Sequence, residues 1–264
     1  MFDRPDFNRL LVWVLLGLAA THTLFASFPA IDLAVSSLFF DGTGFPTTNS
    51  HGLEFFRLVY WDMTVVFALS LLFLWCLSLV MGHRAHVSHK IWLFGWGMFI
   101  IGPGLLVNAF MKTYIGRARP ADSQPFGGEK LFTPPFEFAG QCERNCSFVS
   151  GEGTAAVVFA IVTSVLFWRW VPQRYRGIFA TILIATSIVV AGLRVINGRH
   201  YLSDILIGGW LMALLALVLF RVLKLHNELS TFTPRACRAD LRAAHARFTR
   251  PVLVWLRLVT PRES

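Results

Sequence analysis

The chain has 264 residues, of which 55% are hydrophobic and 15% are charged. This composition, with a mean hydropathy of +0.57, excludes an ordinary soluble domain and indicates an integral membrane protein. The formal net charge of +9 lies mainly in loops and in the C-terminal tail. Because no aromatic and basic binding module accompanies it, this charge favours the positive-inside bias of membrane proteins over nucleic-acid binding.

Six apolar runs are each long enough for a helix that crosses a bilayer, which needs about 20 residues. They are Leu10 to Phe28, Met63 to Met81, Ile91 to Met111, Phe148 to Trp170, Ile178 to Ile196 and Ile205 to Leu223. We therefore predict an all-α polytopic membrane protein in which residues 1–225 form a six-transmembrane-helix bundle. The first run is long for a signal peptide and no convincing cleavage site follows it, so we expect it to stay in the protein.

Basic residues divide unevenly between the two sides of this bundle. The richer side carries Arg4, Arg9, Arg84, Lys90, Arg169, Arg174, Arg176 and the tail after Arg221. Positive charge marks the cytoplasmic side, so we expect both termini in the cytoplasm. The tail, residues 226–264, has its arginines on one half of a helical wheel, which predicts a basic amphipathic helix on anionic lipid that ends near Pro251. A helix surrounded by solvent is the alternative.

Two segments are expected on the outer side of the membrane. Between the first two spans, Ile31 to Phe40 predicts a short interfacial helix or, equally, a connector packed on the bundle. The loop from Thr113 to Ser147 is long and rich in proline and glycine, which makes it a candidate lid. It contains Cys142 and Cys146, which can pair in an oxidising compartment. Unpaired thiols and a metal site are alternatives, although no His or third Cys lies nearby to complete a metal site.

Three clusters of charged and polar residues interrupt the apolar sequence. The clusters are Lys112 and Arg119 after the third span, Ser150-Gly151-Glu152 at the start of the fourth, and Arg194, His200 and Asp204 between the fifth and the sixth. With six alternating spans, all of these positions fall on the outer, periplasmic face. Because ionisable groups at membrane depth are costly and usually functional, this shared position predicts an active site there.

The chemistry of the clusters suits a phosphate. Three cations can neutralise its oxygens, and a helix N-terminus at Ser150 favours an anion. His200 and Asp204 are four residues apart, so on one helix face the carboxylate could keep one imidazole nitrogen protonated and leave the other free to attack phosphorus. Each residue alone has a simpler explanation, such as a membrane anchor for a lysine. Together, the three clusters predict a phosphate-handling site.

These residues also resemble a known family. The motifs that carry the resemblance are Lys112-x6-Arg119-Pro120, Ser150-Gly151 and Arg194-x5-His200-x3-Asp204. They are similar to the three-part signature of the type 2 phosphatidic acid phosphatase family, over roughly residues 91–223. The resemblance implies a metal-independent phosphatase of the bacterial inner membrane, without a cofactor, that acts on a phosphomonoester or diphosphate of a membrane lipid. We infer no obligate protein partner.

By position, the resemblance makes His200 the nucleophile that forms a phosphohistidine and Asp204 the residue that orients it. The phosphoryl group would be bound by Lys112, Arg119, Arg194 and the Ser150-Gly151 segment. Candidate substrates are a lipid A-type sugar phosphate, undecaprenyl diphosphate, phosphatidylglycerophosphate and phosphatidic acid. A lipid phosphotransferase and a catalytically weak lipid-phosphate binding or transport protein are the alternative functions.

Glu152 departs from the family, whose second motif ends in a histidine that acts as the general acid. A carboxyl group can donate that proton only if burial keeps it protonated, and three nearby cations oppose this. We therefore expect an ionised Glu152 and leaving groups that need little protonation, such as a lipid phosphate or an anomeric sugar oxygen. This favours a lipid diphosphate or a lipid A-type sugar phosphate over phosphatidic acid. Alternatively, Glu152 binds an amine or hydroxyl group of the substrate.

Overall fold

The computed structural model describes residues 7–143 and 145–259, without the side chains of residue 248 and of residues 250–259. Regular structure in this part of the chain is helical, which confirms the all-α fold predicted for a polytopic membrane protein. The helices are α1 (Phe7–Ser27), α2 (Ala30–Ser37), α3 (His51–Met81), α4 (His89–Phe99), α5 (Lys112–Tyr114), α6 (Gly151–Phe167), α7 (Arg176–Ile196), α8 (Leu202–Val222), α9 (Leu225–Glu228) and α10 (Pro234–Val259).

Among the described residues, five helical segments are long and apolar enough to cross a membrane. They are Phe7–Ser27, His51–Arg84, His89–Tyr114, Gln173–Ile196 and Leu202–Val222. The remaining predicted span corresponds to α6, an apolar helix of 17 residues. A helix of this length is somewhat shorter than the roughly 20 residues that a full crossing needs. Apolar helices thus lie where the six runs predict them, and α6 is the short one.

The second span begins earlier than its apolar run. Helix α3 starts at His51 rather than at Met63, and Glu54 and Arg57 form an i,i+3 ion pair in the added turns. Such a pair adds a small stabilisation to a helix. The whole helical segment His51–Arg84 has 34 residues, more than a bilayer requires. The first turns of α3 therefore carry charged side chains to the end of the bundle where the motif clusters lie.

A π-helix, Ile100–Met111, joins α4 to α5 within one continuous span. Pro103 lies inside it and removes a backbone donor, a common cause of a local change in helix winding. The side chain of Asn108 donates to the Pro103 carbonyl over 2.7 Å. A π-helix has hydrogen bonds between residues five apart and so has more residues per turn than an α-helix. The side chains at the end of this span therefore point in a different direction than they would in a continuous α-helix. Lys112 follows it directly as the first residue of α5.

Close packing sets the positions of the helices that carry the motifs. Helix α6 packs against α7 and α8, and α8 also packs against α1. Where α6 meets α8, a Cβ atom on Gly208 would lie 2.8 Å from Cγ2 of Thr154. Only glycine allows this close approach of the two backbones. Since Gly208 lies about one turn after Asp204, the contact fixes the relative position of the motif-bearing ends of both helices.

The segment between the first two spans forms the short helix α2, and its buried side chains pack on the bundle. The acidic side chain of Asp32 in α2 is fully buried and accepts a hydrogen bond from the backbone N–H of Ser203 over 2.9 Å. This contact places α2 at the end of the bundle where α8 begins. At the opposite end, the guanidinium of Arg221 lies 5.6 Å from the ring centroid of Phe7, so the start of α1 and the end of α8 lie together.

Helix α10 docks on that opposite end through part of its apolar face. Asp240 accepts hydrogen bonds from the backbone N–H groups of His86 over 2.7 Å and Val87 over 2.9 Å. Ala244 is buried as well. The prediction that the tail helix ends near Pro251 is wrong, since α10 continues to Val259. A proline removes one helical hydrogen bond, which can bend a helix without ending it.

Candidate active site

A cavity of about 690 Å³ opens where the three motif clusters meet. Its described lining has five cationic side chains, namely Arg57, Lys112, Arg119, Arg194 and Arg199. Two carboxylates, Glu54 and Glu152, and the imidazole of His200 also line it. The structure therefore brings predicted residues from all three clusters to one surface. The excess of positive charge on this surface suits a phosphate dianion.

The two cations of the first motif converge on one loop residue, Asn145. Lys112 donates through Nζ to Oδ1 of Asn145 over 3.0 Å, and Arg119 donates through Nη2 to the Asn145 carbonyl over 2.6 Å. Burial and the neighbouring guanidinium groups of Arg199 and Arg194 lower the pKa of Arg119. Arginine nevertheless keeps its charge at neutral pH. Sequence analysis missed Asn145, because an uncharged loop residue 33 positions from Lys112 belongs to no recognisable pattern.

Two guanidinium nitrogens at the cavity are left unsatisfied. Nε of Arg119 and Nε of Arg194 are buried, and neither has a hydrogen-bond partner within the part of the chain that the structure describes. Buried N–H groups are rarely left unpaired in folded proteins. A phosphate in the cavity is the kind of ligand that could satisfy such donors, because arginine binds phosphate oxygens through its N–H groups.

The second motif shapes the start of α6. Ser150 caps this helix, and its Oγ accepts a hydrogen bond from the backbone N–H of Gly153 over 3.1 Å. Because Ser150 is fully buried and its hydroxyl group is used by the cap, it supplies the helix start rather than a hydroxyl group in the cavity. Gly151 lines the cavity, and a Cβ atom there would lie 2.9 Å from Oδ1 of Asn108. The first-turn N–H groups of such a helix favour an anion.

The imidazole of His200 is oriented by a backbone carbonyl. Nδ1 of His200 lies 2.6 Å from the carbonyl oxygen of Ser147, and because that oxygen only accepts, Nδ1 carries the hydrogen and Nε2 holds the lone pair. Burial lowers the pKa of His200 to about 4, so the ring is neutral at pH 7. Oδ2 of Asp204 is 3.7 Å from Nδ1, longer than a hydrogen bond. The expected direct contact with Asp204 is therefore corrected to a contact with Ser147.

Asp204 belongs to a buried network around Arg117. Arg117 donates through Nη1 to Oδ1 of Asp204 and through Nη2 to Oδ2 of Asp32, the latter over 2.9 Å. The hydroxyl group of Ser147 donates to Oδ2 of Asp204. The same serine therefore contacts Asp204 through its side chain and His200 through its carbonyl. In this arrangement, Asp204 reaches the imidazole through Ser147.

Arg117 and both of its carboxylate partners are fully buried. Burial disfavours the charged guanidinium, but Asp204 and Asp32 outweigh this effect and raise the pKa of Arg117. Burial also raises the pKa of Asp32, against the effect of Arg117. The role of Arg117 could not be predicted from the sequence, because its partner Asp32 is 85 positions away and lies outside the motifs.

The outer loop is anchored against this network and forms a wall of the site. Nε of Arg117 donates to the carbonyl of Thr133 over 2.8 Å, and the rings of Phe132 and Tyr201 lie 5.2 Å apart. Cys142 and Cys146 form a disulfide, with their Cα atoms 5.6 Å apart. This bridge encloses Asn145, the loop residue that binds the two motif cations. Within the described residues, no group of three or more His, Cys, Asp or Glu side chains is placed to hold a metal ion.

Glu152 lies among cations, as its sequence position predicts, but its shortest contact is with an unexpected residue. Its Oε1 accepts a hydrogen bond from Nη1 of Arg57 over 2.9 Å and lies 3.7 Å from Nη1 of Arg194. Its Oε2 is buried and has no partner among the described residues. Arg57 comes from α3, 95 positions earlier. Sequence analysis missed its contribution, because no motif joins the two positions.

The fold and the site define a membrane-embedded helical bundle with a cavity at one end that is lined by five cationic side chains. Residues 90–228 match the PAP2 superfamily, so the chain belongs to that family. It is 33% identical over 226 residues to a lipid A 4'-phosphatase of Rhizobium etli, covering 78% of this chain and 82% of the relative. These findings also make it a multi-pass membrane protein of bacterial type.

Two further relatives match shorter parts of the chain. A lipid A 4'-phosphatase of Francisella tularensis subsp. novicida is 37% identical over 115 residues, which cover 41% of this chain and 47% of that protein. A lipid A 1-phosphatase of Rhizobium etli is 36% identical over 126 residues, which cover 46% of this chain and 48% of that protein. No solved structure is significantly similar to the chain.

Proposed function

We propose that the protein is a metal-independent phosphatase that hydrolyses a membrane lipid phosphate through a phosphohistidine on His200. The observation that carries this proposal is the neutral imidazole of His200, held by Ser147 with its Nε2 lone pair available, beside a cavity lined by cations. Membership of the PAP2 superfamily and the names of the relatives support the same activity.

The reaction has two steps. In the first, Nε2 of His200 attacks phosphorus, the N–P bond forms, and the bond between phosphorus and the lipid oxygen breaks. Lys112, Arg119 and Arg194 bind the phosphoryl oxygens and stabilise the charge of the transition state, while the departing oxygen takes a proton from water. In the second step, a water oxygen attacks phosphorus and the N–P bond breaks. Inorganic phosphate leaves, and His200 returns to its neutral form.

A lipid A-type sugar phosphate is the substrate that the relatives favour. The cavity is larger than one phosphate needs, and Trp61, Asn108 and Asn197 also line it. Indole rings and amide groups can bind sugars through stacking and hydrogen bonds. Relatives named lipid A 4'-phosphatase match up to 78% of the chain, whereas relatives named lipid A 1-phosphatase match up to 52%. We therefore propose that the 4'-phosphate is removed.

The site is proposed to face the periplasm, with both termini in the cytoplasm and the bundle in the inner membrane. The end of the bundle opposite the cavity carries the connector Trp168–Arg176 and helix α10. Its basic residues include Arg174, Arg176, Arg235, Arg238, Arg242 and Arg247. By the positive-inside rule, these residues support a cytoplasmic location for that end.

Phosphate release by the purified protein tests this function. The substrates are lipid A 1,4'-bisphosphate, undecaprenyl diphosphate, phosphatidylglycerophosphate and phosphatidic acid, and mass spectrometry of the lipid product identifies the phosphate that is lost. We expect the fastest release from lipid A, at the 4' position, and a loss of at least about 10³-fold for His200→Ala. Transfer of the phosphoryl group to a second lipid would instead support a phosphotransferase. If the protein neither releases phosphate nor transfers the phosphoryl group, the proposal is wrong.

A further inference from the structure

Four side chains of alternating charge form a continuous line beside the cavity. Both oxygens of Glu54 accept hydrogen bonds from Arg57, one of them from Nε over 2.8 Å. Nη1 of Arg57 donates to Oε1 of Glu152 over 2.9 Å, and this oxygen also lies 3.7 Å from Nη1 of Arg194. Because these residues belong to α3, α6 and α7, the line joins three helices at the cavity.

Three side chains of this line, those of Arg57, Glu152 and Arg194, are largely shielded from water. The exposed fractions of the Arg57, Glu152 and Arg194 side chains are 17%, 21% and 13%, whereas that of Glu54 is 45%. Partly buried ion pairs are screened less than surface pairs. A guanidinium bound by two carboxylates is also restricted in orientation. The line can therefore hold the Arg194 guanidinium beside the place where a phosphoryl group would bind.

Glu152 is poorly placed to donate a proton. It lies in the first turn of α6, where the helix dipole favours a negative charge. Two guanidinium groups lie next to its Oε1, at 2.9 Å and 3.7 Å. This oxygen therefore serves as an acceptor that binds arginine side chains.

We infer that Glu152 is a positioning residue that, together with Arg57, holds Arg194 for the phosphoryl group and takes no part as the leaving-group acid. The inference rests on the proposed function, which identifies the cavity as the phosphoryl site. It assigns Arg57 to the machinery of the site, although this residue precedes the segment that matches the family.

If Glu152 acts only through its charge, its replacement should change the affinity for an anion in one direction, and if it positions the arginines, the change should have the opposite sign. Loss of a carboxylate makes the cavity more positive, which by Coulomb's law strengthens the binding of an anion. Loss of a positioning contact weakens the binding of a transition-state analogue, because the guanidinium groups no longer have a fixed orientation. The sign of the change in affinity therefore separates the two roles.

The experiment measures the affinity of the full-length, detergent-purified protein for orthovanadate and for inorganic phosphate by calorimetric titration. The variants are Glu152→Gln, Arg57→Gln, Arg199→Gln, and each arginine variant combined with Glu152→Gln. Arg199 is the matched control, since it carries the same charge in the same cavity and makes no hydrogen bond or ion pair with Glu152. Size-exclusion elution and circular dichroism identify any variant that fails to fold.

We expect Glu152→Gln to weaken vanadate binding about tenfold, and Arg57→Gln to weaken it by a similar factor. In the Glu152→Gln background, Arg57→Gln should add less than about twofold, because the contact is already lost. Arg199→Gln should have the same effect in both backgrounds. Tighter vanadate binding by Glu152→Gln, or equal effects of Arg57→Gln in the two backgrounds, would overturn the inference.

The pH dependence of hydrolysis gives an independent readout. In Glu152→Gln, the alkaline limb of the kcat/KM profile should keep its position, because the residue donates no proton. Loss of that limb in this variant alone would identify Glu152 as an acid and overturn the inference. Vanadate binding needs no turnover. A wild-type protein that releases no phosphate would therefore contradict the proposed function, while the coupling of Arg57 to Glu152 would still decide the positioning role.

Discussion

Two arginines at the site are each bound between two carboxylates, and the two groups differ in their contact with water. We call them the inner triad and the outer triad. The inner triad is Asp32–Arg117–Asp204, and the outer triad is Glu54–Arg57–Glu152. Every side chain of the inner triad is 0% exposed, whereas the exposed fractions in the outer triad run from 17% to 45%.

The same charge pattern therefore has two different physical consequences. A fully buried ion pair gains stability only while every charge has its partner, and removal of one partner leaves an uncompensated charge in a dry environment. A partly exposed pair loses much less, because water and salt ions replace the missing partner. We expect the inner triad to determine whether the outer end folds, and the outer triad to determine how well the folded site binds.

The largest effect is expected from the inner triad. Arg117→Met leaves the Asp32 and Asp204 carboxylates buried without their cation, and it should lower the free energy of unfolding by about 3–5 kcal/mol. Thermal unfolding in detergent checks this, with Arg199→Met as the control, since that arginine is exposed. Equal unfolding temperatures for the two variants would show that the buried ion pairs of Arg117 contribute no more stability than an exposed arginine.

The second prediction concerns the ring beside the inner triad. Because burial lowers the pKa of His200 to about 4, its imidazole should stay neutral from pH 8 down to about pH 5. Its unfolded-state pKa is about 6.5, so the stability gained from the neutral ring is complete above that value and is lost as pH falls toward 4.

Ring ¹⁵N chemical shifts measure this titration, and His200→Gln identifies the signal. Titration near pH 6.5 would mean that burial does not disfavour the charged ring, and would contradict the lowered pKa of His200.

A smaller effect is expected from Asn145, which contacts Lys112 and Arg119. Asn145→Ala removes both the amide contact and part of the loop's fixed position, and it should lower kcat/KM by about tenfold through a higher KM. Gln141→Ala is the matched control, because Gln141 is an amide residue of the same loop that does not line the cavity. An equal loss of kcat/KM in both variants would show that the effect comes from the loop as a whole and not from the contacts of Asn145.

The smallest effect on folding is expected from the outer triad. Arg57→Gln should lower the free energy of unfolding by about 1 kcal/mol, less than Arg117→Met, because its partner Glu54 is 45% exposed and water can replace the lost contact there. Unfolding of wild type and variant at low and high salt tests this, and the difference between them should shrink as salt rises. A loss as large as that of Arg117→Met would remove the distinction between the triads.

Spacing and charge were enough to predict the main outline of the fold and much of the cavity lining. Apolar runs mark the helices because lipid permits few other sequences, and the motif clusters stand out because charges are rare in such runs. The start of α3 could not be predicted, since its first turns carry charged residues such as Glu54 and Arg57 and lie outside the apolar run. The direct partner of His200 was also hidden, because a backbone carbonyl such as that of Ser147 has no sequence signature.

Arg57, Arg117 and Asn145 were missed for a related reason. Each acts through a partner that is distant in sequence, namely Glu152, Asp32 and Lys112. A basic residue near a span end is usually an anchor, and only the folded chain shows which one has a buried or partly buried acid beside it. The parts of the site that depend on contacts between helices could therefore be identified only from the folded structure.

The family segment begins at residue 90, yet Asp32, Glu54 and Arg57 all come before it. Taken alone, residues 90–228 would keep Arg117 and Glu152 but lose one charged partner of each, Asp32 and Arg57, so the family segment by itself lacks part of the charge balance of the site. The first third of the chain therefore supplies charged partners that the rest of the site needs. Co-expressed fragments of residues 1–85 and 86–264 should assemble into an active pair, whereas the second fragment alone should not fold at its outer end.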